Sequence, residues 1–384
     1  MKIGIDASNI IDGGGVTHLI ELLKTVDLDK NGINKIIVWA SRNTLDKLPD
    51  RRNIELVGDK LLEKTLLHRL VWQKRKISKI NCDVDILFVP GGIYFGDFKP
   101  FVTMSRSLLP FDGETRKVYG TGLTQLKLSI VEKAQKYTFN RSDGIIFLTE
   151  KARLLTEKRI GRINARYLSI NHGVADYFFH KPKEQSNISD YNNSNPYKLL
   201  YVSPIVLYKN QWKVIQAVAR LRDRGLPLEL HLIGGMGGRY AKKLFEEAIR
   251  KYDPNNVFVR YHGKIPYERL KDYYIESDAF IFASSCETFG QVLVEAMASG
   301  LPIACSNRTA MPEVLGDAGI YFTIDDINNV ESVIHNLIVS KELRTRLSFL
   351  AFQRAKRYMW SITVEKTFDF ISNVYMNYKL SHDH

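Results

Sequence analysis

The feature that most constrains this chain is a rhythm. Short, continuous apolar runs alternate with longer segments of helical periodicity along its whole length. KIGID (2–6), KIIVWA (35–40), DILFVP (85–90), FVTMS (101–105), GIIFLT (144–149) and YLSIN (167–171) read as strands. Further on, KLLYVS (198–203), LELHLIG (228–234), VFVRYHG (257–263), AFIFASS (279–285) and PIACS (302–306) repeat the theme. Helical patterns lie between them at 17–26, 124–140, 210–224, 239–251, 266–276 and 290–299. A strand that is apolar on both faces must be covered on both faces. This predicts α/β architecture with parallel sheets sandwiched by helices. The polar, Asn/Ser-rich stretch 181–197 lacks either period and reads as a linker or long surface loop. The chain therefore divides into two doubly wound domains facing across a cleft, with ligands expected beyond the carboxyl ends of strands.

The segment richest in chemistry is AFIFASSCETFGQVLVEAMASGLPIACS (279–306). A strand enters the loop Cys286-Glu287-Thr288-Phe289-Gly290, and a helix follows that stops at Gly300 and Pro302. Glu287 precedes the helix and Glu295 lies inside it, separated by on the order of 12 Å at helical rise. That span suits a sugar ring at one end of a diphosphate and a ribose at the other. Backbone amides of Thr288, Phe289 and Gly290 at the helix N-terminus would face the phosphates.

This segment resembles family 4 of the retaining glycosyltransferases, which has the GT-B fold of two Rossmann-like domains. The resemblance implies that Glu287 contacts donor-sugar hydroxyls and that Glu295 holds the ribose. It places a glycine-rich loop near the donor phosphates, where GGGVTHLIELL supplies Gly13, Gly14 and Gly15. These glycines match neither G-x-G-x-x-G nor a P-loop. The family pattern after the strand at 198–203 is Gly-Arg, four residues, then Lys. Lys209 matches the Lys, whereas Ser203-Pro204 replaces Gly-Arg, so one of two expected cations is missing. The region 89–112 is similar to the acceptor wall of bacterial polysaccharide and O-antigen glycosyltransferases. It lacks their His, and Arg106 or Ser107 stands in that neighbourhood, Arg106 either contacting phosphate or pairing structurally. Asn171-His172-Gly173-Val174 is similar to the family's domain-junction turn, with His172 favoured as a hinge or core residue. The resemblance further implies that the last helix crosses back to the first domain. The domains are then 1–175, completed by 360–384, for the acceptor, and 176–359 for the nucleotide sugar.

Net charge of +13 calls for an anionic partner. Lys60 to Lys79 concentrates seven basic residues interleaved with Leu61, Leu62, Leu66, Leu67, Leu70, Val71 and Trp72. This stretch reads equally as a helix on an anionic membrane surface or as the solvated face of a domain helix. No run approaches the roughly 18 apolar residues of a membrane span. The N-terminus lacks a secretory layout, and three cysteines (Cys82, Cys286, Cys305) without C-x-x-C spacing predict neither disulfides nor zinc. A cytoplasmic location is expected, peripheral on the inner face of the membrane if the basic stretch touches it.

The combined expectation is a retaining hexosyltransferase that uses a nucleoside-diphosphate sugar and a glycan or lipid-linked acceptor in surface polysaccharide (O-antigen, lipopolysaccharide) synthesis. Glu287 and Lys209 would carry the catalysis, and the family pattern requires no metal or other cofactor. The rivals are a nucleotide-sugar epimerase of similar fold and, from another class, a basic nucleic-acid-binding protein. No recognition motif for nucleic acid accompanies the charge, so no nucleic-acid partner is expected.

Overall fold

The computed structural model describes residues 1–77 and 84–382, so Lys79 and Cys82 lie outside the described residues. The chain forms two compact units. One comprises 1–113, 121–173 and 360–384, and the other 114–120 and 174–359.

The first unit is built on seven parallel strands: β1 (Lys2–Asp6), β2 (Lys35–Ala40), β3 (Ile54–Gly58), β4 (Ile86–Val89), β5 (Phe101–Ser105), β6 (Gly144–Phe147) and β7 (Arg166–Ser169). Their spatial order is β3-β2-β1-β4-β5-β6-β7. Every residue of β4, β5 and β6 is buried, as their continuous apolar runs require. The final helix, Trp360–His382, buries Val364, Phe368, Ile371 and Val374 in this unit. A Cβ added at Gly144 would lie 2.8 Å from Val374 Cγ2, so the glycine lets the helix settle directly on β6. Each buried Phe or Ile of that helix contributes about 1.5–3 kcal/mol.

The second unit has six parallel strands: β8 (Tyr197–Val202), β9 (Leu228–Ile233), β10 (Val259–Gly263), β11 (Ala279–Phe282), β12 (Ile303–Ser306) and β13 (Ile320–Phe322). Their order is β10-β9-β8-β11-β12-β13. Chain progression reverses direction between β8 and β11, which leaves a crevice beyond their carboxyl ends.

The eleven expected strands are all present within a few residues, and two more appear. Both newcomers, β3 and β13, are edge strands. An edge strand buries less of itself: β3 exposes Glu55 and Gly58, and β13 is three residues long. β3 is interrupted by Glu55, and β13 is too short to read as a strand. The 181–197 stretch packs on the second unit, where the fully buried Arg344 donates to Gln185 Oε1 at 3.2 Å and to the Ser186 carbonyl.

Among the described residues, the basic stretch forms a helix over Leu66–Arg75. Its apolar residues divide in two. Leu62 and Trp72 join a core with Trp39, Leu87 and Tyr94, whereas Leu66, Leu67 and Val71 stand exposed among Lys64, Lys74 and Arg75. Among the described residues no helix is long and apolar enough to cross a membrane.

Candidate functional site

The crevice between β8 and β11 is lined by the loops that follow them, and these loops carry Lys209 and Glu287. After β8 the chain makes one tight turn over Leu207–Lys209 and then enters the helix Gln211–Asp223 through Asn210 in the left-handed conformation (φ 55°). Asn tolerates that region because its short amide bonds locally. Here Asn210 Nδ2 donates to the Ala283 carbonyl at 2.9 Å, Ser285 Oγ at 2.8 Å and the Tyr208 carbonyl at 3.1 Å. The amide of Ser285 returns a bond to the Tyr208 carbonyl at 2.7 Å. These bonds stitch the two loops together and fix where Lys209 points. Tyr201 Oη donates to the Lys209 carbonyl from below.

The Lys209 ammonium is ion-paired with Glu287 Oε1, and the two side chains are only 8% and 16% exposed. The ring centroids of Phe282 and Tyr208 lie 4.9 and 5.4 Å from Nζ. An ammonium has three donors, and a cation held in a largely dry aromatic setting acts on a nearby anion through a low local dielectric. The Glu287 amide donates to Thr309 Oγ1 at 2.9 Å, which fixes the start of the following turn. Gly290 (φ 91°) then admits the chain to the helix Gln291–Ala298. Of the neighbouring candidates, Thr288 is half-buried. The Phe289 side chain is buried against the Tyr358 ring (5.5 Å) and so serves packing rather than lining a site.

Glu295 lies on that helix and is fully buried. Its Oε1 accepts from Tyr267 Oη at 2.8 Å and its Oε2 from Tyr274 Oη at 3.0 Å. Burial pushes its pKa up to about 7, against the opposing pull of the Tyr267, Tyr274 and Gln291 hydrogen bonds.

Ser203 is also buried, and its Oγ accepts from Gln211 Nε2 at 2.7 Å. Its carbonyl sits so close to Gly234 (φ 144°) that a Cβ there would lie 2.0 Å away. The segment Gly234-Gly235-Met236-Gly237-Gly238, between β9 and the helix Arg239–Tyr252, is thus a second wall of the site. Reciprocal bonds tie it to Ile205: Ile205 N to the Gly235 carbonyl at 2.9 Å and Gly237 N to the Ile205 carbonyl at 3.0 Å. Sequence reasoning passed over this run. The signal was present, because four glycines between a strand and a helix follow the same logic that singled out Gly13–Gly15.

In the first unit, Gly13 (φ 61°) and Gly14 face open space, which leaves their backbone accessible at the start of the helix Gly14–Thr25. Gly15 is different. A Cβ there would lie 2.6 Å from an Arg106 guanidinium nitrogen, so the arginine reaching over from beyond β5 rests on this loop. One turn further, His18 and His172 meet Nδ1 to Nδ1 at 2.9 Å, packed on Trp360 at 5.6 and 6.1 Å between ring centroids. Burial first, and the Arg106 charge second, hold His18 down at about 3; burial lowers His172 in the same direction. In that contact one ring donates and the other accepts, and His172 is a core residue.

Two Asp-x-Asp triplets occur, both used locally in the first unit. Asp27, of Asp27-Leu28-Asp29, accepts from the Lys30 amide at 3.1 Å. Asp85, of Asp83-Val84-Asp85, accepts from the Lys2 amide at 2.6 Å, and Asp83 lies outside the described residues. Among the described residues no group of three His, Cys, Asp or Glu side chains is placed to hold a metal ion.

Residues 183–353 match the family described as glycosyl transferases group 1. A 110-residue stretch is 32% identical to O-antigen chain mannosyltransferase B of Escherichia coli, covering 29% of either chain. A 179-residue stretch is 27% identical to D-inositol 3-phosphate glycosyltransferase of Nocardiopsis dassonvillei, covering 44% of this chain and 42% of that one. The matches thus span less than half the length of these curated relatives. At the level of fold the likeness is nearly complete. Sucrose-phosphate synthase from Thermosynechococcus elongatus superposes with a TM-score of 0.78 at 15% identity, over 98% of this chain and 100% of its own. WaaG, a glycosyltransferase involved in lipopolysaccharide biosynthesis, gives 0.69 at 16% identity, over 96% and 99%. The Anabaena protein HepE, solved in complex with UDP and glucose, gives 0.69 at 16% identity, over 96% and 98%. The two parallel sheets are those of the GT-B fold.

Proposed function

We propose, from the match of residues 183–353 to the family described as glycosyl transferases group 1, a retaining, metal-independent glycosyltransferase that moves a hexose-type sugar from a nucleoside-diphosphate donor to a glycan or lipid-linked acceptor. The observation that carries this proposal is the Lys209–Glu287 pair at the switch point of the second sheet, with Glu295 eight residues beyond it on one helix. Glu287 accepts from sugar hydroxyls and aims Lys209. The ammonium then neutralises the diphosphate as the bond from the anomeric carbon to the phosphate oxygen breaks and the electron pair leaves with the phosphate. The acceptor oxygen bonds to the anomeric carbon on the same face, and its proton passes to the departing phosphate. The chain contributes positioning and electrostatic stabilisation. Glu295 takes the ribose, and the turn Thr288–Gly290 with Ser203 presents backbone to the phosphates. Gly13, Gly14 and Gly15 are the first unit's phosphate-facing backbone, and Arg106, resting on Gly15, belongs to its acceptor side.

A role in bacterial surface polysaccharide synthesis is supported by the O-antigen mannosyltransferase and lipopolysaccharide relatives. HepE in complex with UDP and glucose supports the donor class. The exposed Leu66, Leu67 and Val71 among lysines and arginines support peripheral attachment to the anionic inner face of the cytoplasmic membrane, where a lipid-linked acceptor would be met.

The test is turnover. The chain is incubated with α-configured nucleoside-diphosphate hexoses and a membrane extract holding lipid-linked acceptors. Release of nucleoside diphosphate is followed, and the new linkage is read by NMR. An α linkage is expected. A β linkage refutes retention, and no release with any donor refutes the transferase.

A further inference from the structure

Glu295 poses an access problem, because a carboxylate with no exposed surface cannot be reached by any solute unless something covering it moves. Its two tyrosine partners are not equivalent. Tyr274 is fully buried, with its ring 5.6 Å from Phe178 and 5.8 Å from Phe280, and its hydroxyl also bonds the Val292 carbonyl at 3.3 Å. That donor is built into the core. Tyr267 is only half-buried and sits on a single turn, Tyr267–Arg269, whose Pro266, Glu268 and Arg269 neighbours are exposed. Its ring meets Tyr177 and Phe178 edge-on at 6.3 and 5.6 Å.

We propose that Tyr267 is a displaceable cover over Glu295. In the ligand-free chain its hydroxyl occupies the carboxylate oxygen that a ribose hydroxyl of a nucleoside diphosphate takes on binding. The inference rests on the assignment of Glu295 to the ribose. A phenol is a neutral O–H donor, as a ribose hydroxyl is, so the exchange keeps the buried carboxylate satisfied before and after. Oε2 stays with Tyr274 throughout, which holds the carboxylate plane in one orientation. Tyr267 is therefore a positioning residue whose departure is part of donor binding, and the donor must recover the energy of the bond it replaces.

Titration calorimetry of UDP, GDP and inorganic pyrophosphate against the wild-type chain, Tyr267→Phe and Tyr274→Phe tests this. Tyr267→Phe deletes only the competing hydroxyl. It should tighten the better-bound nucleotide about fivefold, corresponding to a net hydrogen bond of about 1 kcal/mol, and leave pyrophosphate, which has no ribose, unchanged. Tyr274→Phe should weaken the same nucleotide. Unchanged or weaker nucleotide binding by Tyr267→Phe, in a variant with the wild-type circular dichroism spectrum, overturns the cover and leaves the donor site standing. Equal tightening of pyrophosphate also overturns it. A wild-type chain that binds neither nucleotide overturns the donor assignment itself.

Discussion

Lys209 and Glu287 are 78 residues apart in sequence and form one largely buried ion pair where the loops after β8 and β11 meet. Each charge is the other's chief compensation for leaving water. Replacing one alone strands its partner, so Lys209→Met should cost about 3 kcal/mol of stability. The double variant Lys209→Met/Glu287→Leu should be more stable than the sum of the singles by at least about 1 kcal/mol. Urea melts of the four proteins check this. Loss of the leaving-group cation should also lower turnover about 100- to 1,000-fold in Lys209→Met.

Asn210 holds that pair in place by combining a left-handed backbone with three side-chain bonds. Asn210→Ala loses the bonds and keeps a Cβ in the left-handed region without the amide that eases it there, and should cost about 2–3 kcal/mol. Asn210→Gly loses only the bonds and should be about 1 kcal/mol less damaging. Equal losses in thermal or urea melts would show that the left-handed turn is not what the asparagine supports.

The general plan was legible because fully buried strands advertise themselves: KIGID and KIIVWA are β1 and β2 residue for residue. β3 and β13 were not, since β3 carries Glu55 in its middle and β13 is three residues long. At the site, Lys209 and Glu287 each had a local signal, a position after a strand and before a helix. Their pairing had none, because it depends on the sheet bringing β8 beside β11. The same holds for Glu295, whose Tyr267 and Tyr274 partners lie 28 and 21 residues away. Burial of the pattern Leu66, Leu67, Val71 and Trp72 was likewise unreadable. Basic amphipathic character does not say which apolar side chains the core claims, and of these four it claims Trp72.

The exposed three of that set give a further prediction. Leu66→Asp/Leu67→Asp should reduce binding to vesicles of anionic lipid more than tenfold, since each leucine lost from the interface forfeits about 1.5–3 kcal/mol. Binding of the wild-type chain should weaken as salt rises. Sedimentation with vesicles of neutral and anionic lipid reads both. Equal binding by the variant removes this helix from the membrane account.

Glu295 should leave a mark on stability against pH. Its pKa rises from the ordinary 4.5 to about 7 in the folded chain because burial disfavours the carboxylate. A raised folded pKa means that its contribution is fully present below 4.5 and is lost as pH rises through 7. Glu295→Gln cannot titrate, so its stability relative to wild type should climb between pH 4.5 and pH 7 and level off above. A difference that stays flat across urea melts over that range would mean the carboxylate is not desolvated.

The central claim, a nucleotide-sugar site at Lys209, Glu287 and Glu295, is tested most directly by thermal unfolding with a panel of UDP-, GDP- and dTDP-sugars. A ligand that binds only the folded chain raises the midpoint by mass action, by about 2.7 kcal/mol at a hundred times its Kd. One donor class should raise the midpoint of the wild-type chain and fail to do so for Glu295→Ala. A panel in which no donor shifts the wild-type midpoint, with no donor hydrolysed, would contradict the account.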